Sequence, residues 1–225
     1  MAGFIATLFF AVSFMGQFVT KYVLEQLAAG QGAGGRSANV TTQVMLIVAP
    51  SEAAMAVFGI WGRAADRMGK KPLLTIGALG LVPVGLGWCF VTGDRVWLGH
   101  VLSVAGAALW CGVEVSNTNL VMEMSSTDED NGKGGGSPYF AVSAVIFNIA
   151  GMLGGLASGL IAEALRDWRW QTTIKTFTYY DVLFGLSALL RLLAVVAFLP
   201  HVHEDRARPT HEAIRFMTAN FYDNV

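Results

Sequence analysis

Charged residues and cysteines are scarce in this sequence of 225 residues. Charged residues make up 14% of it and hydrophobic residues 54%, whereas ordinary globular chains are roughly 25% charged, so a soluble domain is disfavoured. The net charge of -1 offers no basic field, which argues against a nucleic acid partner. The four histidines and two cysteines lack the spacing of zinc ligands. We therefore expect no metal and no cofactor, and free buried thiols at Cys89 and Cys111.

Long apolar stretches are what the sequence has instead. There are six of them, each near the length of about 20 residues that crosses a bilayer, at 2–24, 40–61, 73–92, 97–122, 139–165 and 179–199. The pattern predicts an all-α, polytopic protein that resides in membrane lipid, with a six-helix bundle over residues 1–200 and a tail over 201–225. In the tail, Ile214, Met217 and Phe221 have helical spacing, which indicates a short amphipathic helix; disorder is an equal alternative.

The connector GRAADRMGKKP at 62–72 is the most informative stretch. Gly62 and Gly69 would permit a tight reversal between two helices. Asp66 could accept hydrogen bonds from a neighbouring helix N-terminus. The basic residues, which would hold this loop at the anionic inner leaflet, are Arg63, Arg67, Lys70 and Lys71. An ordinary basic turn is the alternative interpretation.

This connector resembles the signature of the major facilitator superfamily, G-x-x-x-D-R-x-G-R-K/R-x. The matching residues are Gly62, Asp66, Arg67, Gly69, Lys70 and Lys71, with Lys70 where arginine is commoner. In that family the signature lies between the second and third helices of each six-helix half, as it does here. The resemblance implies one half, most like the C-terminal half, of a secondary active transporter. Such a transporter moves a small solute by alternating access, as a symporter or antiporter, and the partner would be the missing half or a second copy.

The distribution of Lys and Arg predicts the orientation. Eight of them lie in the second loop, fourth loop and tail, against five in the opposite loops. By the positive-inside rule both termini are cytoplasmic, and we expect an integral protein of the plasma (inner) membrane.

Polar residues inside two spans indicate a solute or proton pathway. In the fourth span Trp110, Glu114 and Asn117 share one helical face, and in the first span Ser13 and Gln17 do the same. The resemblance implies that these two helices line the solute cavity. For Glu114, a structural role against a neighbouring helix is the alternative.

Three charges and three glycines complete the predicted set. Glu52, Glu114 and Arg191 fall about 12 to 15 Å deep by the rise of a helix. We expect Arg191 to pair with one carboxylate while the other exchanges a proton. Glu114 is favoured for exchange, because the small neighbours of Glu52 suggest tight packing there. In the fifth span the repeat of Gly151, Gly155 and Gly159 predicts close helix packing.

Two other function classes compete with transport. A non-transporting six-helix remnant or accessory membrane subunit that pairs with another membrane protein would carry the same spans. An intramembrane enzyme is disfavoured, because the G-x-S-G nucleophile pattern is absent and the sixth span contains no histidine. We therefore expect that the protein is not an enzyme.

Overall fold

The computed structural model describes residues 2–28, 40, 42–130, 137–173, 175–201 and 208–222. Within these ranges, six helices are long and apolar enough to cross a membrane, namely Ala2–Glu25, Val44–Met68, Lys70–Phe90, Gly93–Glu123, Phe140–Ala164 and Tyr179–His201. The predicted class, an all-α polytopic membrane protein with six spans, is confirmed. The loop predicted at 30–39 lies outside the described residues, and so do residues 131–136 of the fourth loop.

Several of the six helices have irregular ends. Helix α1 (Ala2–Tyr22) continues as a π turn (Val23–Ala28), and α2 (Ala49–Met68) is preceded by one (Val44–Val48). Helix α3 (Lys70–Gly87) ends in a 3₁₀ turn (Trp88–Phe90), and α4 (Val96–Asp130) follows another (Gly93–Arg95). Helix α5 is Ser137–Ala164, and α6 (Tyr179–Leu193) continues through Ala194–Phe198 and Leu199–His201. The tail forms α7 (Thr210–Tyr222).

The six helices pack in a pattern that repeats between the first three and the last three. Helix α1 packs against α5 and α6, and α4 packs correspondingly against α2 and α3. Helices α3 and α6, which correspond to each other, pack together at the centre. Exchanging α1 with α4, α2 with α5 and α3 with α6 therefore preserves the main contacts. Because corresponding helices are three places apart in chain order, they cross the membrane in opposite directions, and the two repeats are inverted.

Glycines set the closest approaches in this packing. A Cβ atom on Gly154 of α5 would lie 2.5 Å from the carbonyl oxygen of Phe10 on α1. In a second helix pair, a Cβ on Gly77 of α3 would lie 3.0 Å from the carbonyl oxygen of Leu109 on α4. Both helix pairs touch backbone to backbone, as small residues allow in membranes.

A two-stranded hairpin, which the sequence patterns did not predict, marks one end of the bundle. Strands β1 (Arg169–Gln171) and β2 (Thr176–Thr178) are antiparallel, with Trp170 opposite Phe177. Thr178 then caps α6 through a capping box with Asp181. The Lys175 ammonium donates to Asp181 and to the carbonyl of Cys89, each at 2.5 Å. This contact ties the hairpin to the end of α3, and we name this the hairpin end.

The opposite end, here called the motif end, contains the turn between α2 and α3. The predicted loop 62–72 is largely helical, because α2 runs to Met68 and α3 starts at Lys70. The reversal takes place at Gly69, whose φ of 89° is a conformation that other residues rarely adopt. Gly62 lies inside α2, and its predicted role in the reversal is wrong.

Helix α7 packs on the motif end. The backbone amide of Arg208 donates to the carbonyl of Met68 at 2.9 Å. Ala213 is fully buried, and Phe216 and Met217 pack with it against α2 and α3. A helix is thus present where one was predicted, but Ile214 of the predicted apolar face is exposed.

Candidate functional site

The charged side chains of the signature lie around the Gly69 turn. The guanidinium of Arg67 lies 5.4 Å from the ring centroid of Phe216 on α7, a cation–π geometry. The Lys70 ammonium is 2.6 Å from the Glu123 carboxylate on α4, while Arg63 donates within its own helix to Gly59. The motif thereby touches both α4 and α7.

Asp66 differs from its neighbours. It is exposed, and its carboxylate forms no hydrogen bond or ion pair with any residue that the structure describes. The predicted capping of a neighbouring helix by Asp66 is therefore wrong for the residues that the structure describes. A carboxylate in this state can accept hydrogen bonds from a second protein surface.

A groove of about 560 Å³ runs between α2 and α4. Its walls are mostly apolar, and its one charged residue among those described is Glu114. The residues that line the groove are Pro50, Ser51, Ala54, Phe58, Ala107, Trp110, Cys111, Glu114, Val115, Thr118 and Asn119. The structure thus brings Trp110 and Glu114 together, as their spacing predicted.

Glu114 and Glu52 are both exposed, and neither forms an ion pair with the described part of the chain. The tight packing expected around Glu52 is wrong. The prediction that Asn117 lines the pathway with Trp110 and Glu114 is also wrong, because Asn117 is buried and does not line the groove. Its Oδ1 atom has no hydrogen-bond partner among the described residues.

Ser13 and Gln17 lie along a different seam, between α1 and α5. A Cβ on Gly151 would lie 3.2 Å from Oγ of Ser13, and one on Gly155 would lie 2.7 Å from Nε2 of Gln17. These two glycines lie at the packing contact expected of them. The prediction is wrong for Gly159, where nothing lies within 4 Å of a Cβ.

An aromatic cluster connects this seam to the groove. Phe9 of α1 stacks on Phe147 of α5 with centroids 4.7 Å apart, and Trp110 of α4 meets Phe9 edge-on at 5.1 Å. Phe9 and Phe147 were not among the residues predicted from the sequence. The signal was present, because Phe9 precedes Ser13 by four residues and Phe147 precedes Gly151 by four, which places each on the same helix face.

The predicted ion pair of Arg191 is wrong. Arg191 is 4% exposed and donates from Nη1 to the carbonyl of Leu81 at 2.8 Å and from Nη2 to the sulfur of Met15. Its Nε has no partner among the described residues. The reason is lateral position: α6 packs on α1 and α3, whereas Glu52 and Glu114 lie on α2 and α4. Only Arg191 of the predicted layer is buried.

The arrangement places a carboxylate, a group that can bind and release a proton, at an open groove next to an aromatic ring. Comparison with protein-family models, with curated proteins and with solved structures finds no match to this chain. The family assignment therefore stays a prediction that depends on the signature motif.

Proposed function

We propose that this protein is one six-helix half of a secondary active transporter that moves a small solute by alternating access. The observation that carries the proposal is the pair of exposed carboxylates, Glu52 and Glu114, on neighbouring helices in the membrane. An unpaired carboxylate at membrane depth costs at least about 2.5 kcal/mol. The face of α2 and α4 is then covered by a second six-helix unit, with a solute cavity between the two. That unit is the missing half or another copy of this chain.

The repeated helix packing supports this proposal. Inverted repeats of three helices, nested within each half of six, are the architecture of major facilitator transporters. Here the main contacts survive exchange of α1–α3 with α4–α6. The signature residues at the Gly69 turn provide separate support.

Assembly through the α2–α4 face is the first test. In a background with Cys89 and Cys111 replaced by alanine, Phe58→Cys is compared with Leu189→Cys, since these side chains are 60% and 61% exposed. Phe58 lines the groove and Leu189 lies on α6. We expect membrane cross-linking at position 58 and none at 189. A monomer in detergent with no cross-link at 58 contradicts the proposal, and cross-linking to a protein without solute transport supports an accessory subunit.

Proton coupling is assigned to Glu114. A screen of labelled sugars, amino acids, organic acids and organic cations in proteoliposomes of the complete assembly first identifies the solute. Glu114→Gln should then abolish accumulation driven by a pH gradient and spare exchange of the solute down its own gradient. Glu212→Gln, on the exposed face of α7, is the matched control. Proton-driven accumulation by Glu114→Gln removes Glu114 from the mechanism.

Orientation is tested by thiol labelling in intact cells. With both termini in the cytoplasm, a single cysteine at Gly34 should react with an impermeant reagent added outside, and one at Gly132 should not. Both positions lie outside the described residues. Reversed labelling overturns the proposed orientation and with it the placement of the motif end in the cytoplasm of a plasma-membrane protein.

Asp66 is proposed to dock against the second unit and set the balance between inward-open and outward-open states. Its exposed carboxylate has no partner within the described chain. Asp66→Asn should therefore change the transport rate and leave the free energy of unfolding unchanged. Asp94→Asn at the hairpin end is the control. Normal transport by Asp66→Asn means that the connector is only a basic turn.

A further inference from the structure

A second cavity, of about 550 Å³, opens at the hairpin end between α1, α5, α6 and the hairpin. Its described lining shares no residue with the α2–α4 groove. Unlike the groove, it is rich in both aromatic and charged side chains, so it is a separate place to bind a ligand.

Aromatic rings form one wall of this cavity. Tyr179 and Tyr180 stack with centroids 4.1 Å apart, and Phe18 meets them edge-on at 6.4 and 6.5 Å. Trp168 belongs to the lining and is 39% exposed. The rings hold one another in place, and the exposed indole leaves an apolar surface against which a planar ligand can stack.

The charges of the lining are unequal. Three cations, Lys21, Arg166 and Arg169, face two carboxylates, Glu25 and Glu163. Both carboxylates are engaged: Glu25 accepts from the Tyr180 hydroxyl at 2.6 Å and lies 3.8 Å from Lys21. Glu163 lies 3.9 Å from Arg166.

Of the three cations of the lining, Lys21 and Arg166 have carboxylate partners in the described part of the chain and Arg169 does not. Its side chain is exposed and forms no hydrogen bond or ion pair with the residues that the structure describes. Lys21 lies 5.9 Å from the ring centroid of Tyr179, so a cation already stands at the aromatic wall. A second cation is therefore disfavoured there, and an anion is favoured.

We propose that this cavity binds a small organic carboxylate that carries a planar ring. The ring lies against the aromatic wall, and the carboxylate is bound by Arg169, whose fork of donors matches a carboxylate in geometry. Lys21 adds attraction from the α1 side. The proposal does not depend on transport, because the site is complete within one copy of the chain.

The test uses the purified full chain in detergent and measures binding by fluorine NMR line broadening. The probe is 4-fluorobenzoate, compared with 4-fluorobenzyl alcohol and 4-fluorobenzylammonium, which carry the same ring without the negative charge. We expect the carboxylate to bind, the two analogues to bind at least tenfold more weakly, and unlabelled benzoate to displace the probe. Acetate, which lacks the ring, should not displace it at equal concentration.

The matched variants are Arg169→Gln and Arg95→Gln. Arg95 is also an exposed arginine at the hairpin end, but it does not line the cavity. Loss of a charge-assisted bond should weaken 4-fluorobenzoate binding about tenfold or more in Arg169→Gln, with less than twofold change in Arg95→Gln. Equal effects of the two variants, no binding by the unaltered protein, or tighter binding of the ammonium analogue each overturn the proposal.

Discussion

The two ends of the bundle are held together by different kinds of contact. The hairpin end has exposed ion pairs, such as that of Glu163 with Arg166, but two of its polar contacts are buried. The Lys175 and Asp181 side chains are 12% and 6% exposed, and the Tyr22 hydroxyl donates to the carbonyl of Val91 in a buried bond. At the motif end the ion pair of Lys70 with Glu123 has side chains 20% and 43% exposed. Breaking a buried ion pair costs far more than breaking an exposed one.

The difference indicates which end can rearrange. Helix α3, the hairpin and α6 are joined at the hairpin end by contacts that are lost only at high cost. At the motif end, α2, α3 and α7 meet through one glycine turn, an aromatic contact of Arg67 and the packing of α7. Rearrangement at the motif end is therefore the less costly of the two.

The largest expected effect is that of Asp181→Asn, which leaves the Lys175 ammonium buried without its carboxylate. We expect the free energy of unfolding to fall by about 3 to 5 kcal/mol, measured by reversible unfolding in mixed micelles. Glu163→Gln, which removes an exposed ion pair of the same end, should change it by less than about 1 kcal/mol. The double variant Lys175→Met, Asp181→Asn should recover part of the loss. Equal free energies of unfolding for Asp181→Asn and Glu163→Gln would contradict the proposed difference between the buried and the exposed ion pair.

The next effect in size is that of Tyr22→Phe. Loss of the buried hydroxyl leaves the Val91 carbonyl without that donor, at a cost of about 1 to 2 kcal/mol. The same unfolding measurement tests it, with Thr218→Val on exposed α7 as the control. An unchanged free energy of unfolding contradicts the view that this end depends on buried polar contacts.

A smaller effect is expected for Lys70→Gln at the motif end. The partly exposed pair with Glu123 should contribute about 0.2 to 1 kcal/mol, and salt should screen it. A loss above 2 kcal/mol would mean that the contacts at the motif end are as costly to break as those at the hairpin end.

The smallest effect on global stability is expected for Ala213→Glu. This change places a charge where α7 is fully buried against α2 and α3, so α7 should detach while the six spans stay folded. Hydrogen exchange of residues 210–222 should accelerate, and the free energy of global unfolding should stay the same. Glu212→Ala, on the exposed side of α7, should change neither the exchange rate of these residues nor the free energy of unfolding. Cooperative loss of the whole bundle would show that α7 is part of its core.

The number of spans was predictable from the sequence, whereas the lateral neighbours of each helix were not. Hydropathy predicted six spans, which is confirmed, and Arg191 lies within the last of them, Tyr179–His201. Its partner depended on which helices touch, and a span pattern contains no such information: Arg191 bonds Leu81 on α3 and not a carboxylate. The prediction for Gly159 failed for the same reason, because no neighbouring atom lies within 4 Å of a Cβ at that position. The extension of α2 through a polar motif was missed, since polarity at a membrane surface does not end a helix.

The buried guanidinium of Arg191 also bears on biosynthesis. An arginine at the centre of a span raises the free energy of insertion from the translocon by about 2.5 to 3.5 kcal/mol. Of the six spans, Tyr179–His201 has the highest mean hydropathy, which offsets this cost before the Leu81 carbonyl is available as a partner. We therefore expect a leucine-to-alanine change at an exposed position such as Leu189 to weaken membrane integration of the nascent helix.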